Sequence, residues 1–438
     1  MTDPGPQDTT VGRGPDDATP GRRLDDAIVD RLLDGVDAAD AAYRAGWPGS
    51  PPGRQPVQVL YVPADRLGPA TVTDAGAEAG RLLEGHAPDA AAFGHAFGID
   101  DLDVADRVRD RVATKLASQP VEDLRVDFED GYLDRDAATE ARDARASAGA
   151  LAQAASRGFL PPFVGLRVKA FTDGLARRSV ATLDRFLGTL LEEAGALPDG
   201  FVVTFPKVVA VDHVRAFVEV LATLEEAHGL SPASLRFEVQ IETTPSVLGP
   251  DGRVALRTIR EAAGGRLVGA HLGVYDYTAG LGLPPTQQRL AHPACDFVRH
   301  LLQVTFAGTE VRLSDGSTNA VPAGDDTAEV HRVWARHAAD VRHSLRHGYV
   351  QGWDLHPSHL VSRYAVVFAD LLDGLEGVLD RLAGWRSGGT GSDGVLDEPA
   401  TVRVLAAHVQ RAVDCGAVDP AHVQHRCGLE LAPRPSQR

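Results

Sequence analysis

The chain has 438 residues, 43% of them hydrophobic, and a formal net charge of −17. That is enough apolar material for one large core, and the acidic balance argues against nucleic acid or an anionic membrane as the main partner. An anionic small molecule stays compatible, because a pocket can be locally positive on an acidic protein.

The three cysteines, Cys295, Cys415 and Cys427, share no CxxC spacing, so we expect reduced thiols in a cytoplasmic protein and no zinc site or disulfide framework. No apolar run approaches the roughly 18 residues of a membrane span. The opening MTDPGPQDTTVGRGPDD lacks the basic and apolar regions of a signal peptide, and residues 1–22 read as a disordered tail. Helical periodicity then runs from about Arg23 to Tyr43 through Leu24, Ile28, Leu32 and Leu33. GWPGSPPGRQP marks a linker ending near residue 56.

From Val57 short β-branched runs alternate with longer amphipathic stretches, the pattern of repeated βα units around a parallel sheet. The predicted strands are VQVLYVP (57–63), LRVDFED (124–130), FVGLRVKA (163–170) and FVVTFPKV (201–208). LRFEVQIET (235–243), RLVGAHLGVYD (266–276), TEVRLSDG (309–316) and YVQGWDLHP (349–357) complete the set. Between them lie helical stretches such as SVATLDRFLGTLLEEAG and VDHVRAFVEVLATLEEAHG, both ending at Gly as helices often do. About eight such units predict an α/β TIM barrel, (β/α)8, over 57–385, with a doubly wound open sheet as the second choice. RSGGTGSDG (386–394) reads as a flexible linker, and 395–438 as a small helical C-terminal module.

A barrel carries its chemistry at the C-terminal ends of its strands. Polar residues fall at those ends: Asp127, Glu129 and Asp130; Arg167 and Lys169; Lys207; Glu242; Asp276; Asp315; Asp354 and His356. A single charged residue there is an ordinary loop residue or cap, but nearly every strand end is charged. A ring of carboxylates with a few cations suits a hard metal ion and an anionic substrate. His331, His337, His343 and His347 share one helical stretch. His343 and His347 alone are spaced i, i+4, without HExxH, so a solvated helix face is expected. There is no GxxxxGK[ST] loop. GLGLPP (280–285) has Pro where a dinucleotide-binding helix would open.

Together these motifs resemble a family. LYVPADR (60–66) and KLASQPVEDLRVDFEDGYLDRDAATEAR (115–142) look like the first two strands of the citrate lyase beta subunit and malyl-CoA lyase group, the HpcH/HpaI aldolase superfamily. LRV (166–168), FPKV (205–208), IETTPS (241–246) and LHPSHL (355–360) continue the likeness in order, over roughly 57–360. GAHLGVYDYTAG (269–280) looks more like the corresponding part of malate synthases, and DEPATVRVLAAH (397–408) resembles their C-terminal catalytic stretch.

The resemblance implies a carbon–carbon lyase or synthase of aldol or Claisen type. It implies a Mg²⁺ ion, replaceable by Mn²⁺, a small 2-oxo acid such as glyoxylate or its adduct, and an acyl-CoA partner. It places the metal on Glu242 and Asp276, with Glu129 and Asp130 holding metal-bound waters; capping of the following helix is the plainer role for that pair. Arg167 would grip a substrate oxygen through a two-pronged contact. Lys207 is a substrate-binding candidate, though an ion pair with a barrel carboxylate fits it better than a Schiff base. Glu398 would be the acid/base of a mobile lid, where the family has Asp. Lys169 stands where the family has Asn, and His356 is expected to be structural. We expect a homo-oligomer. A phosphoryl-transfer barrel, with SDGSTN (314–319) as its phosphate loop, and a non-catalytic binding barrel are the alternatives.

Overall fold

A computed structural model describes residues 24–49, 53–387, 391–392, 395–396 and 398–429. The chain divides into two units, residues 1–49 and 50–438. The tail expected over 1–22 lies outside the described residues. In the first unit the expected single helix is two, Asp26–Leu32 and Val36–Gly46. Asp25 caps the first by accepting from the Ile28 N–H at 2.7 Å. Gly35, left-handed at φ 85°, separates them, a conformation that costs glycine little.

In the second unit eight strands close into a barrel in sequence order. They are β1 (Gln58–Pro63), β2 (Asp123–Asp127), β3 (Phe163–Arg167) and β4 (Phe201–Phe205), then β5 (Arg236–Ile241), β6 (Leu267–Leu272), β7 (Arg312–Ser317) and β8 (Gln351–Asp354). Every neighbouring pair is parallel, and β8 closes on β1. This is the predicted TIM barrel, with each strand inside or beside its predicted run. Most strands end sooner than their predicted runs. Residues 128–130, 206–208 and 242–243 leave the sheet as loops, and 274–276 open the helix Val274–Gly280.

Alternation decides which side chains face which way. Outward residues such as Leu124, Val126, Val164, Leu166, Val203, Phe205, Val239 and Leu272 are buried in the main core between sheet and helices. Phe205 stacks on Phe217 of the helix Val211–Ala227 with centroids 4.2 Å apart, and Phe171 and Phe237 meet Phe217 edge-on. Burying one such ring contributes about 1.5–3 kcal/mol.

The inward set is largely polar. Val59, Tyr61 and Trp353 form a small apolar cluster apart from the main core. Arg125 donates to Thr204 Oγ1 at 3.2 Å and Glu238 Oε1 at 3.1 Å, and pairs with Asp123. His271 meets Glu238 at 2.8 Å, and Trp353 Nε1 donates to His271 Nδ1 at 2.6 Å. A buried charge persists only when paired, and Arg125, Asp123, Glu238 and His271 are paired with one another.

The C-terminal helices Pro399–Cys415 and Pro420–Cys427 pack on the helix Leu375–Arg386. They bury Val409, Ala412, Val413, Cys415 and Val423 in the main core. His408 Nε2 reaches Leu371 O at 3.2 Å, at the end of the helix Pro357–Leu372. That helix starts just after β8, so its far end lies at the barrel's N-terminal face. The Lys115–Glu122 ion pair, which acts on Cys415, also sits there, just before β2. Gly391–Ser392, in the expected linker, pairs antiparallel with Val395–Leu396, at the start of the expected C-terminal module.

Candidate active site

The C-terminal mouth gathers the charged residues the strand ends supply. Asp127 ends β2 and Arg167 ends β3, and the two are register partners. Arg167 Nε and Nη2 each donate to one Asp127 oxygen at 2.7 Å. The same carboxylate accepts the N–H groups of Glu129 at 2.9 Å and Gly131 at 2.8 Å. Arg167 Nη1 faces Glu129 at 3.1 Å and Asp130 at 3.8 Å, and its guanidinium lies 5.1 Å from the Tyr61 ring centroid.

Lys207, in the loop after β4, has a left-handed backbone at φ 47°. A non-glycine residue rarely adopts this, and the strain is offset where the surroundings demand it. Here it aims the Lys207 N–H at Glu242 Oε1, 2.8 Å away. The ammonium then pairs with Glu129, with Asp130 at 2.9 Å and with Asp276 at 3.4 Å. Lys207 is therefore the centre of a carboxylate cluster.

Electrostatics follow burial. Burial would lower the Lys207 ammonium, but Glu129, Glu242 and Asp130 outweigh it and raise its pKa. Burial raises Glu129 against Arg167 and Lys207, whereas in the more open Asp130 the same two cations outweigh burial and lower it. Burial pushes the Glu242 carboxyl up to about 8; Lys207 opposes this, and Glu129 and Asp276 add to it. So fully buried a carboxyl with a raised pKa favours a cation beside it.

The donor set fits a hard divalent ion. Glu242 follows β5 directly and is 2% exposed, while the Asp276 side chain, in the first turn of the helix after β6, is 41% exposed. Both carboxylates lie against Lys207, one buried and one accessible, and magnesium typically takes one or two carboxylates and keeps several waters. Gly273 makes room for them: a Cβ there would overlap Cβ and Oε2 of Glu242.

Other expected roles find different places. Arg167 spends its fork on Asp127, so a two-pronged grip on substrate is not what this arrangement presents; its Nη1 faces Glu129 and Asp130. Lys169 Nζ turns to Glu140 at 3.7 Å. Asp315 points out of the barrel, to Arg299 at 2.9 Å and Ser344 at 2.5 Å. Asp354 is held by Arg363 at 2.8 Å. His356 caps the helix Pro357–Leu372 by accepting from the Ser358 N–H at 3.1 Å, a structural role as expected. Residues 314–317 of SDGSTN belong to β7, and a Cβ on Gly316 would meet Leu272 O at 2.7 Å, so no phosphate loop forms there.

Glu398 is exposed at the start of the helix Pro399–Cys415, and no described contact joins it to Glu242 or Asp276. Asp397 lies outside the described residues. Tyr61 and Gln240, which line the mouth beneath Arg167 at 5.1 and 3.4 Å, were missed. For Gln240 the signal is present: Glu238, Gln240 and Glu242 alternate with the apolar Phe237, Val239 and Ile241 along β5 and the residue after it.

A stretch of 115 residues is 39% identical to an L-malyl-CoA/beta-methylmalyl-CoA lyase of Haloarcula marismortui, covering 26% of this chain and 30% of the relative. The match thus spans less than a third of that lyase. The fold is similar to a citrate lyase of Burkholderia xenovorans, with a TM-score of 0.52 and 17% identity over 85% of this chain and 96% of the other. A malate synthase of Haloferax volcanii, in a structure with glyoxylate, aligns with a TM-score of 0.47 and 15% identity over 85% and 94%. The sequence resemblance to the citrate lyase and malyl-CoA lyase group thus has a counterpart among known proteins. The family model described as "Domain of unknown function (DUF6986)" matches residues 36–436, nearly the whole chain, and the protein belongs to that family.

Proposed function

We propose that the protein is a divalent-metal-dependent carbon–carbon lyase or synthase of the aldol or Claisen type. Its substrate would be a small 2-oxo acid such as glyoxylate, or the adduct of one. The observation that carries this reading is the convergence of Glu242, Asp276, Glu129 and Asp130 around Lys207 at the barrel mouth. Glu242 and Asp276 would hold Mg²⁺, or Mn²⁺ in its place, with Glu129 and Asp130 ordering its waters. A bound ion would supply Lewis-acid polarisation of the substrate carbonyl.

The chain's own groups would do the rest. Arg167 Nη1 and the Lys207 ammonium present positive charge to a substrate carboxylate. The Asp127 fork fixes Arg167, so that charge costs no reordering when substrate arrives. Tyr61 closes the floor beneath Arg167 and keeps water away from it. An acyl-CoA thioester is the proposed carbon nucleophile in synthesis and the product in cleavage. Glu398 remains the proposed acid/base; no described contact joins it to the mouth carboxylates, so it would reach a site by moving or by serving a neighbouring subunit.

The test mixes pure protein and Mg²⁺ with glyoxylate, pyruvate or oxaloacetate, with and without acetyl-CoA, and reads products by mass. Metal-dependent formation or cleavage of a carbon–carbon bond is expected. No turnover with any pair, in either direction, would remove the support for this substrate class.

A further inference from the structure

Away from the mouth, two helices bring together a set of groups that the proposed reaction does not use. Asp296 and His300 are one turn apart on the helix Pro293–Phe306. His343 and His347 are one turn apart at the end of the helix Thr327–Arg346. Residues spaced i, i+4 share a helix face, so each pair offers its groups side by side. The faces meet: His343 Nε2 lies 2.7 Å and His347 Nε2 3.7 Å from Asp296 Oδ1. One ligand atom from each of these three residues lies within 4.8 Å of the others. The His300 ring centroid is 5.4 Å from that of His347.

We propose that Asp296, His343 and His347 form a site for a late first-row divalent ion, with Zn²⁺ the natural occupant, distinct from the hard-ion site at the barrel mouth. Two imidazoles and one carboxylate suit zinc, and oxygen-loving magnesium does not choose such a set. Three protein ligands leave a fourth position for water.

The local structure already orients one ligand. His347 Nδ1 lies 3.0 Å from the carbonyl oxygen of His343, which can only accept, so Nδ1 carries the proton. Nε2 then keeps its lone pair and points toward Asp296, the arrangement in which metal-binding histidines are held. Both histidines lie in the last turn or cap of their helix, where the helix dipole favours a cation. The neighbouring cation does not block the site. Arg299 donates to Asp296 Oδ1 at 2.7 Å, but its Nε and Nη2 are held by Asp315 at 2.9 and 3.0 Å. Among the described residues, Asp296 Oδ2 has no hydrogen-bond partner.

Binding requires His343 to offer Nε2, so the proton it shares with Asp296 moves to Nδ1 or is released to solvent. The ion would then bridge the helices that precede and follow β7. It would act as a staple on the barrel wall.

The experiment uses the full chain, stripped with chelator and kept in excess Mg²⁺ so that the mouth carboxylates are occupied. Zn²⁺ is titrated by calorimetry, and thermal unfolding is followed with and without Zn²⁺. The variants are His347→Gln, His343→Gln and, as a neighbour outside the ligand set, His300→Gln. Wild type is expected to bind one more Zn²⁺ than His347→Gln, or to bind it about tenfold or more tightly. Zinc should raise its melting temperature, and this rise should vanish in both ligand variants and persist in His300→Gln. Substitution of Co²⁺ gives a ligand-field spectrum that should disappear with His347. If His343→Gln fails to fold, the partly exposed His347 decides alone. Equal zinc isotherms and equal thermal shifts in wild type and His347→Gln would overturn the site and leave the cluster as an ion pair.

Discussion

Asp127 and Arg167, register partners at the ends of β2 and β3, share two parallel hydrogen bonds of 2.7 Å. Arg167→Lys keeps the charge and loses the fork. We expect kcat/KM to fall by on the order of tenfold or more, because a point charge cannot hold the same geometry. Arg167→Ala, which strands Asp127, should also cost about 3–5 kcal/mol of stability. Wild-type kcat/KM in the Lys variant would show that the fork is irrelevant to turnover.

Glu242 and Asp276 are the proposed metal ligands. Changing either to Ala should abolish Mg²⁺ binding and activity while circular dichroism still reports a folded barrel. Calorimetry decides: unchanged Mg²⁺ affinity in both variants sinks the assignment.

Gly273 offers a separate handle on the same site. Its added methyl would overlap Glu242, so Gly273→Ala must displace that carboxylate. The expected result is weaker Mg²⁺ binding without any change of charge. Retention of wild-type affinity would mean that Glu242 need not sit where the structure puts it.

Glu398→Gln is the clean test of the acid/base role, and it should remove turnover while leaving Mg²⁺ binding intact. Deleting the chain after Gly394 is less clean than its sequence implies. It strips Val409, Ala412, Val413 and Val423 from the core, at about 1.5–3 kcal/mol for each large aliphatic, so a lower melting temperature is expected as well. If the module serves a neighbouring subunit, mixing inactive Glu398→Gln with inactive Glu242→Ala should restore activity. Full activity of Glu398→Gln alone would place the base elsewhere.

The protein should lose stability on mild acidification. Burial, with His337 next in effect, holds His359 down at about 3, and burial likewise lowers His337 despite its Asp354 partner. Below the ordinary histidine pKa of about 6.5 the unfolded chain takes up protons that the folded chain refuses. Stability contributed by the neutral rings is therefore complete above that pH and is lost progressively toward pH 3. Urea midpoints at successive pH values check this: the slope between pH 6.5 and 5 should flatten in His359→Gln, and an identical slope would contradict it.

Much of the barrel was legible in the chain itself. Eight β-branched runs, separated by amphipathic stretches of which two close at Gly, specify repeated βα units, because local periodicity determines which face each element must bury. The carboxylates of the mouth were legible for the same reason: a strand pattern says where its C-terminal end lies. Partner choice was not legible. Whether Arg167 turns to substrate or to Asp127 depends on strand register. Whether Asp315 faces the mouth or Arg299 depends on one step of side-chain alternation. That the C-terminal helices settle against the barrel's N-terminal face depends on long-range burial of Val409 and Val413. His343 and His347 looked like a solvated helix face because nothing local announces Asp296, 47 residues away in the chain and 2.7 Å away in space.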